Sequence, residues 1–255
     1  KVYAGGLFLS TSYTFDITDL PVVKLSNETI PTDTLCGSIP DAFATLPDHT
    51  AYATYMGGPV APGPCTYSDG STRIGNGYGG TPGELVHFDA NGKVLGQFPV
   101  SSATSESYTV PATGATQPCY DLPIVLTSSC ANPHGIQIRA DLKTMVTSDY
   151  AEPAQIIEDP VKPTNQDYFR RTVRVWSFGP KGCSGNATPG ASFSNPKICA
   201  IDVMPLGPRD DSNPAHAENN GIMENGSTWD YPLPDGNVPK GWFSESMCGG
   251  AVFYT

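Results

Sequence analysis

The sequence predicts an all-β protein, and three observations lead to this prediction. The 255 residues include 27 glycines and 25 prolines, and only 15% of them are charged, against about 25% in an average soluble domain. Short stretches of alternating apolar and polar residues recur along the chain. No long stretch places apolar side chains at helical spacing behind an N-cap. This pattern is typical of many short strands joined by turns.

The strands follow one another along the chain as hairpins. The clearest is GELVHFDANGKVLGQFPV, where two alternating strands flank Asn91-Gly92, a dipeptide that adopts positive φ at low cost. GIQIRADLKTMVTSDY predicts a second hairpin with its turn near residues 140–143. RTVRVWSF and KICAIDVMPL predict two more strands, separated by a loop over residues 179–196. Residues 57–83 lack periodicity and are predicted to form a surface loop.

The net charge of −11 argues against two classes of partner. An acidic chain repels the phosphates of nucleic acids and the anionic surface of membranes, and no basic patch offsets this charge. The uninterrupted apolar runs are far shorter than the roughly 20 residues that cross a bilayer as a helix. The sequence therefore predicts a protein that binds neither nucleic acid nor membrane.

The seven cysteines predict a disulfide-bonded, secreted protein. None of them has the C-x-x-C spacing of a zinc site, and disulfides persist in oxidising compartments. Three local pairs would each brace a loop-rich segment: Cys36–Cys65, Cys119–Cys130 and Cys183–Cys199. The remaining Cys248 would pair with another chain or with a segment outside this sequence.

Three N-glycosylation sequons and the chain's ends support the same interpretation. The acceptor residues would be Asn27, Asn186 and Asn225, although Pro189 makes the second a poorer acceptor. The chain starts at Lys1 without an initiator Met, which predicts a processed, extracellular form. It ends in GGAVFYT, a strand that has just begun, which predicts cleavage after Thr255 within a longer precursor.

Three histidines share a context that suggests a metal site. His49, His134 and His216 each follow a proline-containing loop, precede a candidate strand and lie at nearly equal intervals. Hairpin-rich chains form sandwiches, closed barrels or propellers, and equal spacing favours a β-propeller in which each histidine opens an innermost strand. Converging neutral imidazoles bind copper, zinc or iron and leave positions open for substrate.

Carboxylates near these histidines are candidates for orienting the imidazoles. They are Asp48, Asp149 and Glu218, and the alternative for each is a solvated surface acid. The alternative for each histidine is a loop residue hydrogen-bonded to nearby backbone. His87 lies inside the ELVHFD strand without a preceding proline and is interpreted as structural. The sequence contains no G-x-S-x-G, P-loop or H-E-x-x-H motif that would indicate another catalytic site.

Several segments resemble the selenium-binding protein and methanethiol oxidase family. HTAYATYMGG is similar to a histidine-led segment of that family, and GYGGTPGELVHFDANGKVLGQF is similar to its glycine-rich hairpin. IQIRADLKTMVTSDYAEPAQIIED followed by VRVWSF resembles its central blades. The resemblance covers about Ser12 to Trp176 and continues weakly through His216. The family has adjacent histidines where this chain has Asp48-His49, so only His49 corresponds.

The resemblance implies a seven-bladed propeller with a copper ion held at its axis by histidines. This chain would supply roughly the first half of the ring, up to four blades, as a single domain over residues 1–255. A second polypeptide, the C-terminal part of the same precursor, would complete the ring and add at least one histidine. Iron remains open as the metal because carotenoid-cleaving oxygenases hold it with four histidines in a similar propeller, and the absence of any metal also remains open.

Two functional hypotheses follow from these observations. The first is a secreted, copper-dependent oxidase of the methanethiol oxidase type that acts on a small-molecule substrate, with an iron-dependent oxygenase as a variant. The second is a non-catalytic secreted propeller that binds a ligand or partner through its long loops. The first requires the histidines to converge, and the second does not.

Overall fold

The computed structural model confirms the all-β prediction and has propeller-like sheets. It describes residues 1–61, 63–74, 82–100, 107–109, 116–118, 131–151, 153, 172–183, 185–203, 222–227, 242–246 and 252–254. Within these ranges, no helix is both long enough and apolar enough to pass through a bilayer.

In the described residues, four antiparallel sheets of three or four strands follow one another along the chain, and we call them blades 1 to 4. Blade 1 contains β1 (Val2–Gly6), β2 (Thr11–Asp16) and β3 (Lys24–Thr29). Blade 2 contains β4 (Ser38–Thr45), β5 (Ala51–Gly57), β8 (Glu84–Phe88) and β9 (Val94–Pro99). Blade 3 contains β12 (Pro133–Arg139), β13 (Thr144–Asp149), β14 (Thr172–Ser177) and β15 (Lys197–Val203). Blade 4 contains β16 (Ile222–Ser227), β17 (Trp242–Ser246) and β18 (Val252–Tyr254).

Two small hairpins and two 3-10 turns complete the described elements. The hairpin strands are β6 (Pro64–Thr66) with β7 (Thr72–Ile74), and β10 (Ser107–Thr109) with β11 (Thr116–Pro118). The 3-10 turns are Leu7–Leu9 and Ala140–Leu142. The first hairpin lies inside the segment 57–83 that the sequence predicted to be a loop without strands. That prediction was wrong at these six positions, because strands of three residues are too short to show periodicity.

The predicted hairpins form as expected, because their turns are specified locally. Gly92 has φ of 90° in the β8–β9 turn, where Asp89 Oδ1 accepts the N–H groups of Asn91 and Lys93. The β12–β13 turn ends at Lys143, which has φ of 54°. β14 and β15 pair as predicted, across the loop that the sequence placed between them.

The innermost strands of blades 2 and 3 run side by side in the same direction. We call the end where β4 and β12 begin the upper end, and the end where they finish the lower end. At the upper end, Thr54 Oγ1 of β5 donates to His134 O at 2.5 Å. At the lower end, the turn that follows β4 and the turn that follows β12 line one cavity. The first strands of consecutive blades contact one another, since β12 packs beside both β4 and β16. We call these three strands the inner edges of blades 2, 3 and 4.

The main core lies between blades 2 and 3. It joins Tyr52, Leu85 and Phe98 of blade 2 with Met145 and Trp176 of blade 3, all of them almost fully buried. Its two aromatic polar groups are satisfied: Tyr52 Oη donates to Phe193 O at 2.6 Å, and Trp176 Nε1 donates to Thr147 Oγ1 at 3.0 Å. Burying each large side chain contributes about 1.5–3 kcal/mol, so this layer fixes the two blades together.

Two of the predicted disulfides form in the structure. Cys36–Cys65 ties the segment before β4 to the β6–β7 hairpin, and Cys183–Cys199 ties the loop after β14 to β15. Cys119, Cys130 and Cys248 lie outside the described residues. The bond to Cys65 holds the long excursion between β5 and β8 against blade 2.

A carboxyl group is buried at the upper end of blade 2. Glu84 is 0% exposed, and neither of its carboxyl oxygens has a hydrogen-bond partner in the described part of the chain. It packs against Gly37 so closely that an ideal Cβ there would lie 2.3 Å from Glu84 Oε1. Burial raises the pKa of Glu84 well above its usual value, although the positive charge of Arg73 opposes this shift.

We expect Glu84→Gln to stabilise the protein at neutral pH. Because the folded-state pKa is raised, Glu84 favours folding below its unfolded pKa of about 4.3, and this advantage is lost as pH rises through the folded-state pKa. The variant should therefore have a higher Tm than wild type at pH 7 and a similar Tm at pH 4. Thermal unfolding at both pH values measures this. Glu28→Gln makes the same change at an exposed position of β3 and should show no such pH-dependent gain.

Candidate functional site

The strongest candidate site is a histidine–carboxylate pair at the upper end of the inner strands. His134 is the second residue of β12, and Asp41 lies in β4 of the neighbouring blade. His134 Nδ1 is 3.1 Å from Asp41 Oδ2, a distance at which a ring N–H donates to a carboxylate. Their side chains are 13% and 21% exposed. The pair is thus partly sheltered but accessible from the upper end.

The surroundings of His134 hold its ring and its backbone in place. The Tyr150 ring meets the imidazole edge-on, with ring centroids 5.1 Å apart. The backbone leading to His134 is tied to blade 2, because Asn132 Nδ2 donates to Met56 O at 2.8 Å and Gly83 N donates to Ala131 O at 3.0 Å. With Nδ1 directed at Asp41, a ligand role would fall to Nε2.

The sequence identified His134 but not the residue that orients it. Asp41 lies in SIPDAFAT, far from His134 in the chain, and nothing in that segment marks it as functional. The predicted orienting residue, Asp149, instead forms a fully buried ion pair with Arg174, Oδ2 to Nε 2.9 Å, and accepts a hydrogen bond from Thr172 Oγ1. In the described structure, Asp149 lies against that buried guanidinium and compensates its charge.

His49 lies away from His134 in the structure, and the three-histidine centre, which includes His216, stays a prediction. His49 belongs to the β4–β5 turn at the lower end and precedes the second strand of blade 2. The backbone from Thr50, just before β5, to Thr54 spans about 13 Å, and Thr54 is the residue that contacts His134. A single metal ion cannot bind both imidazoles across that distance.

The role of His49 is set by the shape of its turn. Its φ is 69°, and its N–H donates to Leu46 O at 3.0 Å. Lys143 holds the corresponding left-handed position in blade 3, and a threonine follows both residues. Asp48 Oδ1 accepts the N–H and hydroxyl of Thr50, and these bonds lower the pKa of Asp48. Asp48 therefore stabilises the turn that contains His49.

The other predicted ligands lie outside the described residues. These are His216 and Glu218. Among the residues that are described, no group of three or more His, Cys, Asp or Glu side chains is arranged to hold a metal ion. The metal site thus remains a prediction for which the described residues supply one oriented imidazole.

His87 is buried, in agreement with its interpretation as structural. It is 5% exposed, and its ring stacks on Tyr52 with centroids 4.3 Å apart and an angle of 9°. Burial lowers the pKa of His87, while the nearby Asp48 raises it to a smaller extent. The ring therefore packs in its neutral form.

The lower end carries a second, acid-rimmed feature between blades 2 and 3. A cavity of about 470 Å³ is lined by Leu46, Pro47, Asp48, Ala140, Asp141 and Phe193. The pKa of Asp141 is lowered by its hydrogen bonds from Arg139, at 2.6 and 2.8 Å. This cavity is mainly apolar with a negatively charged rim, so it suits a small ligand with an apolar body.

The three predicted glycosylation sites differ in their surroundings. Asn27 lies in β3, where its Nδ2 donates to Gly92 O at 2.8 Å. Asn186 is exposed, and its Nδ2 donates to Cys199 O at 2.8 Å. Asn225 lies in β16, opposite Ser244. A glycan replaces one of the two hydrogens on the side-chain nitrogen, so Asn27, which donates to both Thr29 Oγ1 and Gly92 O, could keep only one of these bonds. Glycosylation stays a prediction.

We expect His87 to make the protein less stable in mild acid. Its folded-state pKa is lowered, so its contribution is present above the unfolded pKa of about 6.5 and is lost as pH falls through the folded-state pKa. His87→Phe keeps a ring against Tyr52 and should lose less Tm than wild type when the pH falls from 7.5 to 5, which thermal unfolding at both pH values measures. His49→Asn, at the exposed turn, should keep the wild-type pH dependence. Equal losses in all three proteins would contradict the expectation.

Comparisons with known proteins give a likeness of fold only. No protein-family model and no curated protein matches the sequence. Among solved structures, a hypothetical selenium-binding protein from Sulfolobus tokodaii is similar, with a TM-score of 0.51 and 13% identity over 96% of this chain and 42% of that protein. The C-terminal domain of Pseudomonas aeruginosa PilY1 has a TM-score of 0.39 and 11% identity over 92% of this chain and 37% of that one. This chain thus spans less than half the length of either structure.

Proposed function

We propose that this chain is part of a secreted propeller that binds a transition metal at its axis and oxidises a small molecule, with His134 as one of the metal ligands. The observation that carries the proposal is the pair of His134 and Asp41 at the upper end of the inner strands, with Nδ1 and Oδ2 3.1 Å apart. Histidines that bind metals commonly donate their second ring nitrogen to a carboxylate, which fixes the tautomer and the ring plane.

The donor set fits a metal site in part. His134 offers an oriented imidazole, and His216, in the segment before β16, is the second ligand that we propose. Further ligands would come from residues beyond those described or from the polypeptide that completes the ring. Copper is our choice of metal because imidazoles suit it and because of the sequence resemblance, with iron as the alternative. Such an ion, when bound, would activate oxygen or a thiol of the substrate.

The residues around His134 would bind and position rather than react. Asp41 would hold the imidazole in one tautomer, and the Tyr150 ring would restrict its rotation. The hydrogen bond from Thr54 to His134 O would keep the backbone from moving away from blade 2. Two disulfides in the structure are compatible with secretion, which is the localisation that we propose.

We expect His134→Gln to abolish stoichiometric metal binding, whereas His49→Asn should leave it unchanged because His49 lies in a lower-end turn. Asp41→Asn should weaken metal affinity about 10–100-fold through loss of the orienting carboxylate. Elemental analysis after dialysis against competing chelator concentrations measures both effects. Circular dichroism of each variant shows whether it is folded. Wild-type protein without a transition metal, or metal loss only in His49→Asn, would overturn the proposal.

A second polypeptide is part of the same proposal. The chain covers 42% of the similar selenium-binding protein, and a propeller closes only when its last blade meets its first. We expect native mass spectrometry of the protein from its source to show this chain with a partner from the same precursor. Reducing and non-reducing conditions would show whether Cys248 links the two. A folded, monodisperse species with only the mass of this chain and its glycans would contradict the expectation.

A non-catalytic binding propeller is the second candidate function. The lower-end cavity favours it, because its apolar walls would accept a small organic ligand and Asp48 adds a negative charge at its rim. The other rim carboxylate, Asp141, is already paired with Arg139. The two candidate functions use sites at opposite ends of the blades, so the metal analysis above distinguishes between them. Wild-type protein without a transition metal would favour the binding function.

A further inference from the structure

Strand directions alternate in the same way in the two four-stranded blades. In blade 2, β4 runs from the upper to the lower end, and β5, β8 and β9 then alternate in direction. Blade 3 repeats this order with β12, β13, β14 and β15. The second strand of blade 2 meets the innermost strand of blade 3 in antiparallel orientation, because Thr54 contacts His134 while Met56 contacts Asn132.

β1 meets β4 in the same way as β5 meets β12. Near the lower end, the Tyr3 ring stacks on Phe43 with centroids 5.5 Å apart. Further along β1, an ideal Cβ on Gly5 would lie 2.7 Å from Pro40 O. After β1, Ser10 Oγ accepts the N–H of Ile39 at 3.2 Å. As β1 advances, its neighbours in blade 2 come earlier in β4, so the two strands are antiparallel.

Blade 1 therefore has strands in the second, third and fourth places but none described in the first. β1, β2 and β3 pair in sequence, and β1 has the direction of a second strand and not of an innermost one. Burial agrees with this assignment. All residues of β5 are buried between β4 and β8, whereas every residue of β1 is exposed or half-buried, with Val2 at 45%.

We propose that the inner edge of β1 binds an extended strand of about five residues from the polypeptide that completes the ring. This strand would run antiparallel to β1 and parallel to β4, and it would be the innermost strand of blade 1. The inference rests on the proposed completion of the ring, and it specifies where the two polypeptides join. The contacts of Tyr3, Gly5 and Ser10 with blade 2 fix the direction of β1. Because neighbouring strands within a blade are antiparallel, a strand that pairs with the inner edge of β1 must run opposite to β1.

The choice of partner follows from continuity with the existing inner edge. The added strand would lie beside β4 as β4 lies beside β12, so it would extend a surface that the blades already share. The small residues Ala4, Gly5 and Gly6 present little side-chain bulk along this edge. Main-chain hydrogen bonds along an exposed edge supply affinity in strand addition, and closure removes an edge that otherwise promotes aggregation.

Amide hydrogen exchange along β1 tests the proposal. In an edge strand, alternate N–H groups point away from the neighbouring strand and exchange quickly, whereas in an inner strand all are bonded and exchange slowly. We expect the isolated 255-residue chain to show fast exchange at alternate residues of β1, and the complete protein from its source to show slow exchange at all five. β5, which has partners on both sides, is the internal control.

Three outcomes would overturn the proposal. Alternate fast exchange in the complete protein would show that no strand binds there. Slow exchange at all five residues in a monomeric isolated chain would assign the place to a segment of this same chain, and in a dimer it would assign it to a second copy. Metal content is measured on the same samples, so a failure of the strand proposal with metal retained is distinguishable from a failure of the proposed function.

Discussion

The packing of blade 2 against blade 3 is the interaction on which the rest of the described structure depends. Its apolar layer contains Tyr52, Leu85 and Trp176, and each such side chain contributes about 1.5–3 kcal/mol when buried. The same interface contains the hydrogen bond from Thr54 to His134 O and the contact between His134 and Asp41. Because one residue of each pair comes from each blade, the candidate site exists only when the two blades are packed.

Polar groups enclosed by these blades are satisfied to different degrees, and this sets how stability depends on pH. Asp149 and Arg174 compensate each other, so their burial is tolerated at neutral pH. Glu84 is buried without a hydrogen-bond partner in the described structure and favours the protonated state, while His87 favours the neutral state. Glu84 opposes folding as pH rises and His87 opposes it as pH falls, so the two residues act on stability in opposite directions.

A large part of the fold was predictable because its information is local. The β8–β9 hairpin follows from Asn91-Gly92, and the β12–β13 hairpin has its turn where the pattern predicted it. The disulfides to Cys65 and Cys199 followed from loop composition and short separation along the chain. The β6–β7 hairpin was missed, because strands of three residues carry too little alternation to be recognised.

The candidate site was predictable only for His134. The proline-containing loops before His49 and His134 look alike in sequence, yet one leads into a second strand and the other opens an innermost strand. Whether a loop leads into a first or a second strand depends on how many strands of that blade come before the loop. A local sequence pattern does not contain this information. His49 and Lys143 have the same left-handed backbone conformation. This likeness is seen only when the backbone angles of the two turns are compared.

The sequence by itself determined the all-β class, most of the hairpins and the two disulfides, because turns, alternation and short loop closures involve residues close together in the chain. The tertiary structure decided that Asp41 lies beside His134, that Asp149 pairs with Arg174, that His49 lies at the opposite end, and that β1 occupies a second place in its blade. Each of these depends on how whole blades pack and in which direction their strands run. Contacts of this kind join residues far apart in the chain, so their pairing is fixed by packing and not by neighbouring sequence.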